Sequence, residues 1–499
     1  MKKISVFILF IAISGKVFAQ SLTDFESFRR NMLNDYSAYK QTALSDYQAF
    51  RDSINQAYAN ALKGLWSEEN VIEGEPNPED DVKPIPPIVY EETPIVSPIK
   101  EIPIEPITKP IIEEQPNPIA PIEKEPEIGI RTLPKCHFSF YGKNIDISVP
   151  NEIHSLKNTN ANSVAEYWMD LSETISNQIL LDCLAIRKNL HLCDWAYLQF
   201  LDTFSKTLLP AKHNEATLFM AYLYVQSGYK IRLATNANKI YMLFSSSSSI
   251  YEWPYYDIDG DTFYPYNCNA ERLSVSAAAF PNEKSLSLLI HEEPLLGNSQ
   301  KLKRVSRQAK GVGYNISINT ELLSFYDSYP TSFVNGNQMT RWALYANTPL
   351  SQQTKDSLYP QLRSQIKGQS IIQSLNYLLA FTQFAFEYEY DDVVWGKDRA
   401  FFSEETLYYP YADCEDRSIL FTRLVRDILN LDCALVFAPG HLFTAVKLPQ
   451  GITYNGDAII IEGERFIICD PTYIGANIGI IMPNIDGNKL SAIVLERYF

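Results

Sequence analysis

The sequence of 499 residues is poor in positive charge. Its 43 Lys and Arg residues stand against 59 Asp and Glu residues, which gives a formal net charge of −16. Proteins that bind nucleic acid neutralise phosphates with clustered Lys and Arg side chains. We therefore expect no nucleic-acid partner for this chain.

Long apolar runs are also missing after the first residues, and a membrane-spanning helix needs ~20 of them. The N-terminus itself is typical of a secretory signal: residues 1–3 are basic, residues 4–13 are apolar, and residues 17–19 end at the small Ala19. We expect cleavage after Ala19 and an exported protein, periplasmic or extracellular. An uncleaved N-terminal anchor is the alternative. The cleavage point has no cysteine, so a lipoprotein is not expected.

Cysteine is scarce, and its spacing follows no metal-binding pattern. The seven cysteines are Cys136, Cys183, Cys193, Cys268, Cys414, Cys433 and Cys469. They form no CxxC pair and no Cys/His cluster with zinc spacing, so we expect neither a metal nor a cofactor. Exported proteins can hold disulfides, but an odd count leaves at least one thiol free or paired between chains. One reactive thiol with up to three disulfides fits this count, and so does a chain without disulfides.

Residues 24–67 carry an eleven-residue repeat. Residues 24–29 return at 35–40 and again at 46–51, each time with aromatic residues three positions apart. These aromatic residues are Phe25, Phe28, Tyr36, Tyr39, Tyr47 and Phe50. Eleven residues make three helical turns, so the pattern predicts one amphipathic helix of about 45 residues within 20–70. A single helix cannot bury such a stripe. We expect either self-association or docking to a partner or the cell envelope.

Residues 71–134 are rich in proline, with fifteen of the chain's 29 prolines between Pro76 and Pro134. Proline fixes φ and removes a backbone donor, which favours an extended polyproline conformation. The composition predicts a semi-rigid linker that separates the helix from the folded part. A ligand for a proline-binding module is the alternative.

The rest of the chain predicts an α+β fold in three parts: an α/β lobe over 135–270, a β-rich connecting region over 271–360 and a core over 361–499. A helix followed by two strands at 214–244 returns near 415–447. In that alignment Lys212 takes the position of Cys414, and Lys239 that of His441. The first unit is either an inactive duplicate of the second or an ordinary unit of similar layout.

Three residues of the last part form a candidate nucleophilic site. Asp413 is a good N-cap, which makes Cys414 the first residue of a helix. His441 follows a Pro-Gly turn at the head of a strand, and Asp470 ends a strand before Pro471. A thiol at a helix N-terminus favours its thiolate, a histidine partner lowers its pKa further, and an acid can orient the imidazole.

Each of these residues alone also has a structural explanation: a core cysteine, a satisfied histidine and a turn-forming aspartate. Their order and placement together favour the catalytic interpretation. Glu415 and Asp416 would oppose a thiolate if they pointed at it. We expect them instead to cap the helix and to pair with Arg417 or Arg423.

Three motifs carry a family resemblance: Asp413-Cys414-Glu415-Asp416-Arg417, Pro439-Gly440-His441 and Cys469-Asp470-Pro471-Thr472-Tyr473. They resemble the core of the transglutaminase-like superfamily of papain-like cysteine enzymes, over roughly residues 365–499. The resemblance implies a papain-like core with Cys414 as nucleophile, His441 as base and acid, and Asp470 as its orienting group. The aromatic residue that usually follows the histidine is replaced here by Leu442-Phe443.

The resemblance also implies an oxyanion site made by the nucleophile's N–H and an upstream side chain, for which Trp395, Tyr408 and Tyr409 are candidates. Members of this superfamily hydrolyse amides, cross-link proteins or have lost activity, and the fold does not select among these outcomes. We expect hydrolysis of a protein or peptide-like substrate. Amine transfer to protein glutamine and a catalytically vestigial envelope scaffold are the alternatives.

Overall fold

The computed structural model describes residues 2–76, 85–91, 100–104, 133–175, 177–268, 270, 272–297, 303–309, 312–334 and 336–495. It is 41% helical and 24% strand, which confirms the mixed α+β class. No helix within these residues has the length and apolarity that a membrane crossing requires.

The helices lie mainly in the middle of the chain and ahead of the last sheet. They are α1 (Lys2–Leu62), α2 (Ala161–Thr174), α3 (Asn177–Asn189), α4 (Asp194–Leu208), α5 (His213–Gln226), α6 (Thr320–Asp327), α7 (Arg341–Asn347), α8 (Gln352–Ile366), α9 (Ile371–Phe384), α10 (Asp391–Val394), α11 (Ser403–Tyr408) and α12 (Cys414–Leu424). A π-helical turn, Val425–Leu429, continues α12.

The strands fall into two large sheets and several short pairs. They are β1 (Trp66–Asn70), β2 (Ile88–Val89), β3 (Glu101–Ile104), β4 (Lys135–Phe140), β5 (Lys143–Ser148), β6 (Ile231–Asn236), β7 (Lys239–Ser245), β8 (Ser249–Ile250), β9 (Tyr256–Ile258), β10 (Asp261–Pro265), β11 (Arg272–Ser276), β12 (Lys303–Ala309), β13 (Val312–Ile318), β14 (Ser332–Phe333), β15 (Cys433–Ala438), β16 (His441–Lys447), β17 (Ala458–Ile461), β18 (Glu464–Cys469), β19 (Tyr473–Ile474) and β20 (Ser491–Val494).

The two large sheets share one strand order. The first runs β1-β11-β6-β7-β10-β9, and the second runs β20-β15-β16-β18-β17-β3. In each, the first strand of a central hairpin (β6-β7 or β15-β16) pairs antiparallel with the last strand of the unit, β11 or β20. The second hairpin strand pairs antiparallel with β10 or β18, which in turn pairs with β9 or β17. The helix before each hairpin packs on its second strand, α5 on β7 and α12 on β16. Five strands in the same order and direction favour a duplicated unit over a chance likeness.

The N-terminal helix is anchored in the folded part, contrary to the expectation of a separate unit. Tyr58 and Leu62 near its C-terminal end are buried in the main core beside α2. The fully buried Asn55 accepts hydrogen bonds at Oδ1 from Trp168 Nε1 (3.0 Å) and Gln226 Nε2 (3.1 Å). These contacts join α1 to α2 and α5.

The expected linker is likewise not a free spacer where the structure describes it. The predicted helix ends at Leu62, and the next residues form β1, which pairs with β11 at the edge of the first sheet. From the proline-rich stretch, β2 pairs with β19, and β3 pairs in parallel with β17 at the edge of the second sheet. An extended proline-containing segment adopts strand geometry readily, provided that it lies at a sheet edge.

The connecting region, residues 271–360, is not β-rich as expected, because it also holds α6, α7 and the first turns of α8. Polar N-caps start two of these helices: Asn319 accepts from Glu321 N–H, and Ser351 accepts from Thr354 N–H. Helix α8 begins at Gln352 and contains Pro360 in its interior. The seven cysteines are all free thiols. Of the two alternatives for the cysteines, the structure therefore shows the chain without disulfides.

Candidate active site

The helix that carries the cysteine begins at the residue that the sequence predicts. Cys414 is the first residue of α12, and the N-cap Asp413 accepts hydrogen bonds at Oδ1 from the N–H groups of Glu415 (3.1 Å) and Asp416 (3.3 Å). Asp416 Oδ2 accepts in return from the Asp413 N–H (3.4 Å). This reciprocal capping fixes the backbone on both sides of the thiol.

His441 and Asp470 meet because their strands are neighbours. His441 opens β16 and Asp470 follows β18, and these strands pair antiparallel with Thr444 opposite Cys469. His441 Nε2 and Asp470 Oδ2 are 2.8 Å apart, and both side chains are buried. The other ring nitrogen of His441, Nδ1, is buried without a hydrogen-bond partner among the described residues.

The carboxylate of Asp470 is held in its ionised form. Burial alone would raise its pKa, but the charge and hydrogen bond of His441 together with donors from Thr472 bring that pKa below its ordinary value. Thr472 donates to Oδ1 from its backbone N–H (2.9 Å) and its hydroxyl (2.8 Å). An ionised, fully engaged carboxylate fixes the ring of His441 and favours a proton on Nε2.

Cys414 lies beside the same histidine strand. Helix α12 packs on β16, and Ser418 Oγ donates to the carbonyl of Leu442 (3.0 Å). The pKa of the Cys414 thiol is raised well above its usual value, first by burial and then by the charges of Asp413 and Glu415, although the Leu442 N–H lowers it. The charge of Asp470 also raises this pKa, so the thiol lies within electrostatic range of the His441–Asp470 pair, and the resting thiol keeps its proton.

The prediction that Glu415 pairs with Arg417 or Arg423 is wrong. Arg423 pairs with Asp427, while Glu415 Oε1 is buried without a hydrogen-bond partner among the described residues. Asp416 does cap the helix, and its Oδ1 accepts from Phe401 N–H (2.9 Å). An ionised Glu415 therefore opposes the thiolate, which is the effect that pairing was expected to prevent, although burial raises the pKa of Glu415 itself well above its ordinary value.

Arg417 is buried and binds backbone carbonyls instead of acids. Its guanidinium donates to Ala412 (3.1 Å), Gln383 (3.2 Å) and Phe386 (3.0 Å). Burial lowers the pKa of this guanidinium below its ordinary value. Arg417 ties the end of α9 and the following loop to the start of α12.

A second buried residue, Gln383 of α9, holds the loop after Asp470. Its Nε2 donates to the carbonyls of Asp470 (3.1 Å), Tyr473 (2.8 Å) and Ala476 (3.0 Å). Its Oε1 accepts from Gly475 N–H (3.2 Å). Sequence patterns do not reveal this residue, because its partners are backbone groups 87 to 93 positions away.

Tyr388, which the sequence did not single out, lies within electrostatic range of the nucleophile. Its hydroxyl is buried without a hydrogen-bond partner among the described residues. Burial raises its pKa strongly, and the charge of Cys414 is the next cause, followed by that of Asp413. An unpartnered phenol O–H near a nucleophilic thiol has the chemistry of an oxyanion donor.

The candidates named from the sequence for that role lie in another cluster. The ring of Tyr409 is 4.8 Å from that of Trp395 and 5.1 Å from that of Tyr408. Arg399 stacks over the Trp395 ring at 5.1 Å. These aromatic residues are packed against one another and the Arg399 guanidinium.

Carboxylates gather on the far side of Glu415. Asp391, Asp398 and Glu415 each offer an oxygen within 4.8 Å of the others, and so do the ligand atoms of Asp413, Cys414 and Glu415. Burial raises the pKa of Asp391 to about 8, helped by the charge of Glu415. These groups are close enough to share a cation, but burial raises the pKa values of Asp391, Asp413 and Glu415, so protons also satisfy these three carboxylates near neutral pH.

Comparison of the chain with protein-family models, with curated proteins and with solved structures finds no match. The chemistry of the site therefore has to follow from its own geometry.

Proposed function

We propose that the chain is an exported cysteine hydrolase that cleaves amide or peptide bonds through an acyl-enzyme, on a papain-like core of transglutaminase-like type. One observation carries the proposal. The buried Nε2–Oδ2 bond of 2.8 Å between His441 and Asp470 leaves Nδ1 of the same ring free of hydrogen-bond partners. An imidazole held in this way by an ionised carboxylate is arranged to accept a proton from a thiol at the helix start.

The reaction begins with transfer of the Cys414 proton to Nδ1 of His441. The thiolate attacks the substrate carbonyl carbon, and the oxygen that becomes negative is held by the Cys414 N–H and the Tyr388 hydroxyl. The imidazolium then protonates the leaving amine, and a thioester remains on Cys414. Water attacks the thioester while His441 takes its proton, and the acid product leaves with the thiol restored.

Burial keeps the resting thiol protonated, and Asp413 and Glu415 add to this effect when they are ionised. The ion pair is therefore formed during the reaction and is not stored in the free enzyme. Such an arrangement protects an exported thiol from oxidation, because the thiolate is the species that oxidants attack.

The test uses p-nitrophenyl acetate, a small active ester that needs no peptide recognition. We expect one acetyl group on Cys414, found by mass spectrometry of the full chain, and none there in Cys414→Ala. His441→Ala should acetylate about 100-fold more slowly, because general-base assistance is lost. Cys433→Ala, which removes another buried thiol, is the matched control and should react like the wild type.

Equal acetylation of Cys414 with and without His441 would overturn the enzyme proposal and leave the vestigial scaffold. Whether water or an amine accepts the acyl group is measured by adding a labelled primary amine with a peptide substrate. Release of acid without amine incorporation supports hydrolysis, whereas incorporation would make the chain a transferase.

We further propose that α1 associates with a second copy of itself through its exposed stripe. Tyr36, Tyr39 and Phe50 are 58%, 72% and 53% exposed, although the end of the same helix is buried. Phe25 and Phe28 belong to the stripe, but their side chains lie outside the described residues. Analytical ultracentrifugation should show an oligomer, and the double variant Tyr36→Ser with Tyr39→Ser should be a monomer. If the wild type were already monomeric, docking to a partner or the cell envelope would be the remaining explanation of the stripe.

A further inference from the structure

A short piece of the proline-rich stretch, residues 85–91, lies on the catalytic part of the chain; we call it the strap. Its Ile85 N–H donates to the carbonyl of Gly440 (2.8 Å), and its Tyr90 N–H donates to the carbonyl of Ile474 (2.8 Å). Between these two points, β2 runs parallel to β19. The strap is therefore bound by its backbone, in an extended conformation.

Three side chains of the strap face the protein. Ile85, Ile88 and Tyr90 are half-buried against the core of the second sheet, and the Tyr90 ring meets the Tyr473 ring edge-on at 5.5 Å. Val89 is 67% exposed and points away. The surface beneath the strap thus recognises an extended segment with apolar side chains at separated positions.

Both backbone anchors belong to the loops that hold the catalytic pair. Gly440 immediately precedes His441, and Ile474 immediately follows Tyr473, whose N–H donates to Asp470 Oδ1 (3.2 Å). Cys414 and His441 are themselves buried, with 5% and 1% exposure. A polypeptide bound with the hydrogen bonds of the strap would run directly past the general base.

We propose that Gly440 and β19 form the peptide-binding subsite of this enzyme, and that the strap occupies it until a substrate takes its place. The inference rests on the proposed function and names its substrate class: an extended polypeptide bound by strand pairing, with apolar anchors and with proline accepted between them. Such a ligand requires acceptor carbonyls for its N–H groups and an apolar surface for its side chains, and this subsite has both.

The strap is suited to be displaced because it is not part of either large sheet. The pair β2-β19 is a separate two-stranded ladder, so its opening leaves the order β20-β15-β16-β18-β17 intact. Pro86 and Pro87 supply no N–H groups, which limits the hydrogen bonds that hold the segment. A segment with few contacts opens more readily than the sheet beside it.

The experiment compares Ile88→Asp, which places a charge in the apolar bed, with Val89→Asp on the exposed face of the same strand. We expect p-nitrophenyl acetate to acetylate Cys414 about tenfold faster in Ile88→Asp, because the loss of one apolar anchor shifts the strap towards its open state. Val89→Asp should react like the wild type. Tyr90→Ala is a second opening variant should Ile88→Asp not fold.

A fluorescent peptide of residues 85–91 gives a readout independent of the thiol. It should bind Ile88→Asp but not the wild type, where the strap fills the subsite. Equal acetylation rates in all chains, with dependence on His441 and no peptide binding, would overturn the inference and leave the proposed function standing. Peptide binding without any acetylation of Cys414 would instead contradict the proposed enzymatic function. The subsite would then bind a peptide that is not a substrate.

Discussion

Ala412 donates a hydrogen bond from its N–H to the carbonyl of Glu387 (3.0 Å), and this contact aligns the loop after α9 with the approach to α12. Glu387 also forms a parallel β-bridge with Tyr411. The next residue, Tyr388, is thereby held near the start of α12, and its buried hydroxyl has no hydrogen-bond partner among the described residues. Its position follows from two backbone contacts and not from any feature of its own sequence neighbourhood.

For Tyr388→Phe we expect kcat/KM to fall about 100-fold, because an oxyanion donor is lost. The melting temperature should stay unchanged or rise, since the variant removes a buried hydroxyl that has no partner. Steady-state kinetics and thermal unfolding check both outcomes. Tyr409→Phe, in the aromatic cluster beside Arg399, is the control that should keep its kinetics, and a loss of activity there instead would assign the role to Tyr409.

Replacing Gln383 by Leu should lower the free energy of unfolding by about 1–3 kcal/mol, because three buried carbonyls lose their donor. Asp470 sits at the start of the loop that Gln383 holds, so acetylation of Cys414 should slow as well. Denaturant unfolding measures the first effect. Gln365→Leu, on the exposed surface of α8, is the matched control, and equal losses in both variants would contradict the positioning role.

The carboxylate cluster predicts how stability depends on pH. The pKa of Asp391 is about 8 in the folded chain and near 3.8 when unfolded, so between these values the folded state retains a proton that the unfolded state has lost. Stability should therefore fall as pH rises from about 4 to about 8. Asp391→Asn should flatten this fall, whereas Asp392→Asn, its exposed neighbour, should not.

Thermal unfolding across that pH range makes the comparison. Glu404 and Glu405, whose pKa values burial raises to about 7, act in the same direction, so a smaller slope should persist in Asp391→Asn. Stability that rises with pH over this interval would contradict the ionisation of the cluster described above.

The anchoring of α1 is tested at Asn55. Asn55→Ala leaves the Trp168 indole N–H and the Gln226 amide buried without an acceptor, so the free energy of unfolding should drop by about 1–3 kcal/mol per orphaned group. Urea unfolding followed by tryptophan fluorescence reports it. Asn60→Ala, on the exposed side of the helix, should leave the free energy of unfolding unchanged. If Asn55→Ala also left it unchanged, the packing of α1 on α2 and α5 would not contribute to stability.

The elements near the site were the most predictable from sequence. Helix α12 starts at Cys414 because Asp413 caps it, and β16 starts at His441 because a Pro-Gly turn precedes it. Both signals are local, so they survive without knowledge of the tertiary structure. The two helix–strand–strand units were recognised for the same reason.

What the sequence did not predict depends on contacts between distant segments. The proline-rich composition predicts an extended backbone. It does not predict that β3 pairs with β17, which lies more than 350 positions later in the sequence. Likewise, the aromatic stripe of α1 predicts a partner, but only the fold shows that Asn55 makes the helix's last turns part of the core. Gln383 binds backbone groups, for which side-chain patterns hold no information.

The position of β3 has a further consequence for solubility. The strand that it covers, β17, contains Ile459, Ile460 and Ile461, a run that would otherwise present open backbone groups to other molecules. Pro103 of β3 lies opposite Ile460 and has no N–H to offer on the outer side. The chain thus closes the isoleucine-rich edge of its second sheet with a strand that lacks one outward N–H, which makes that edge a poorer template for pairing with another molecule.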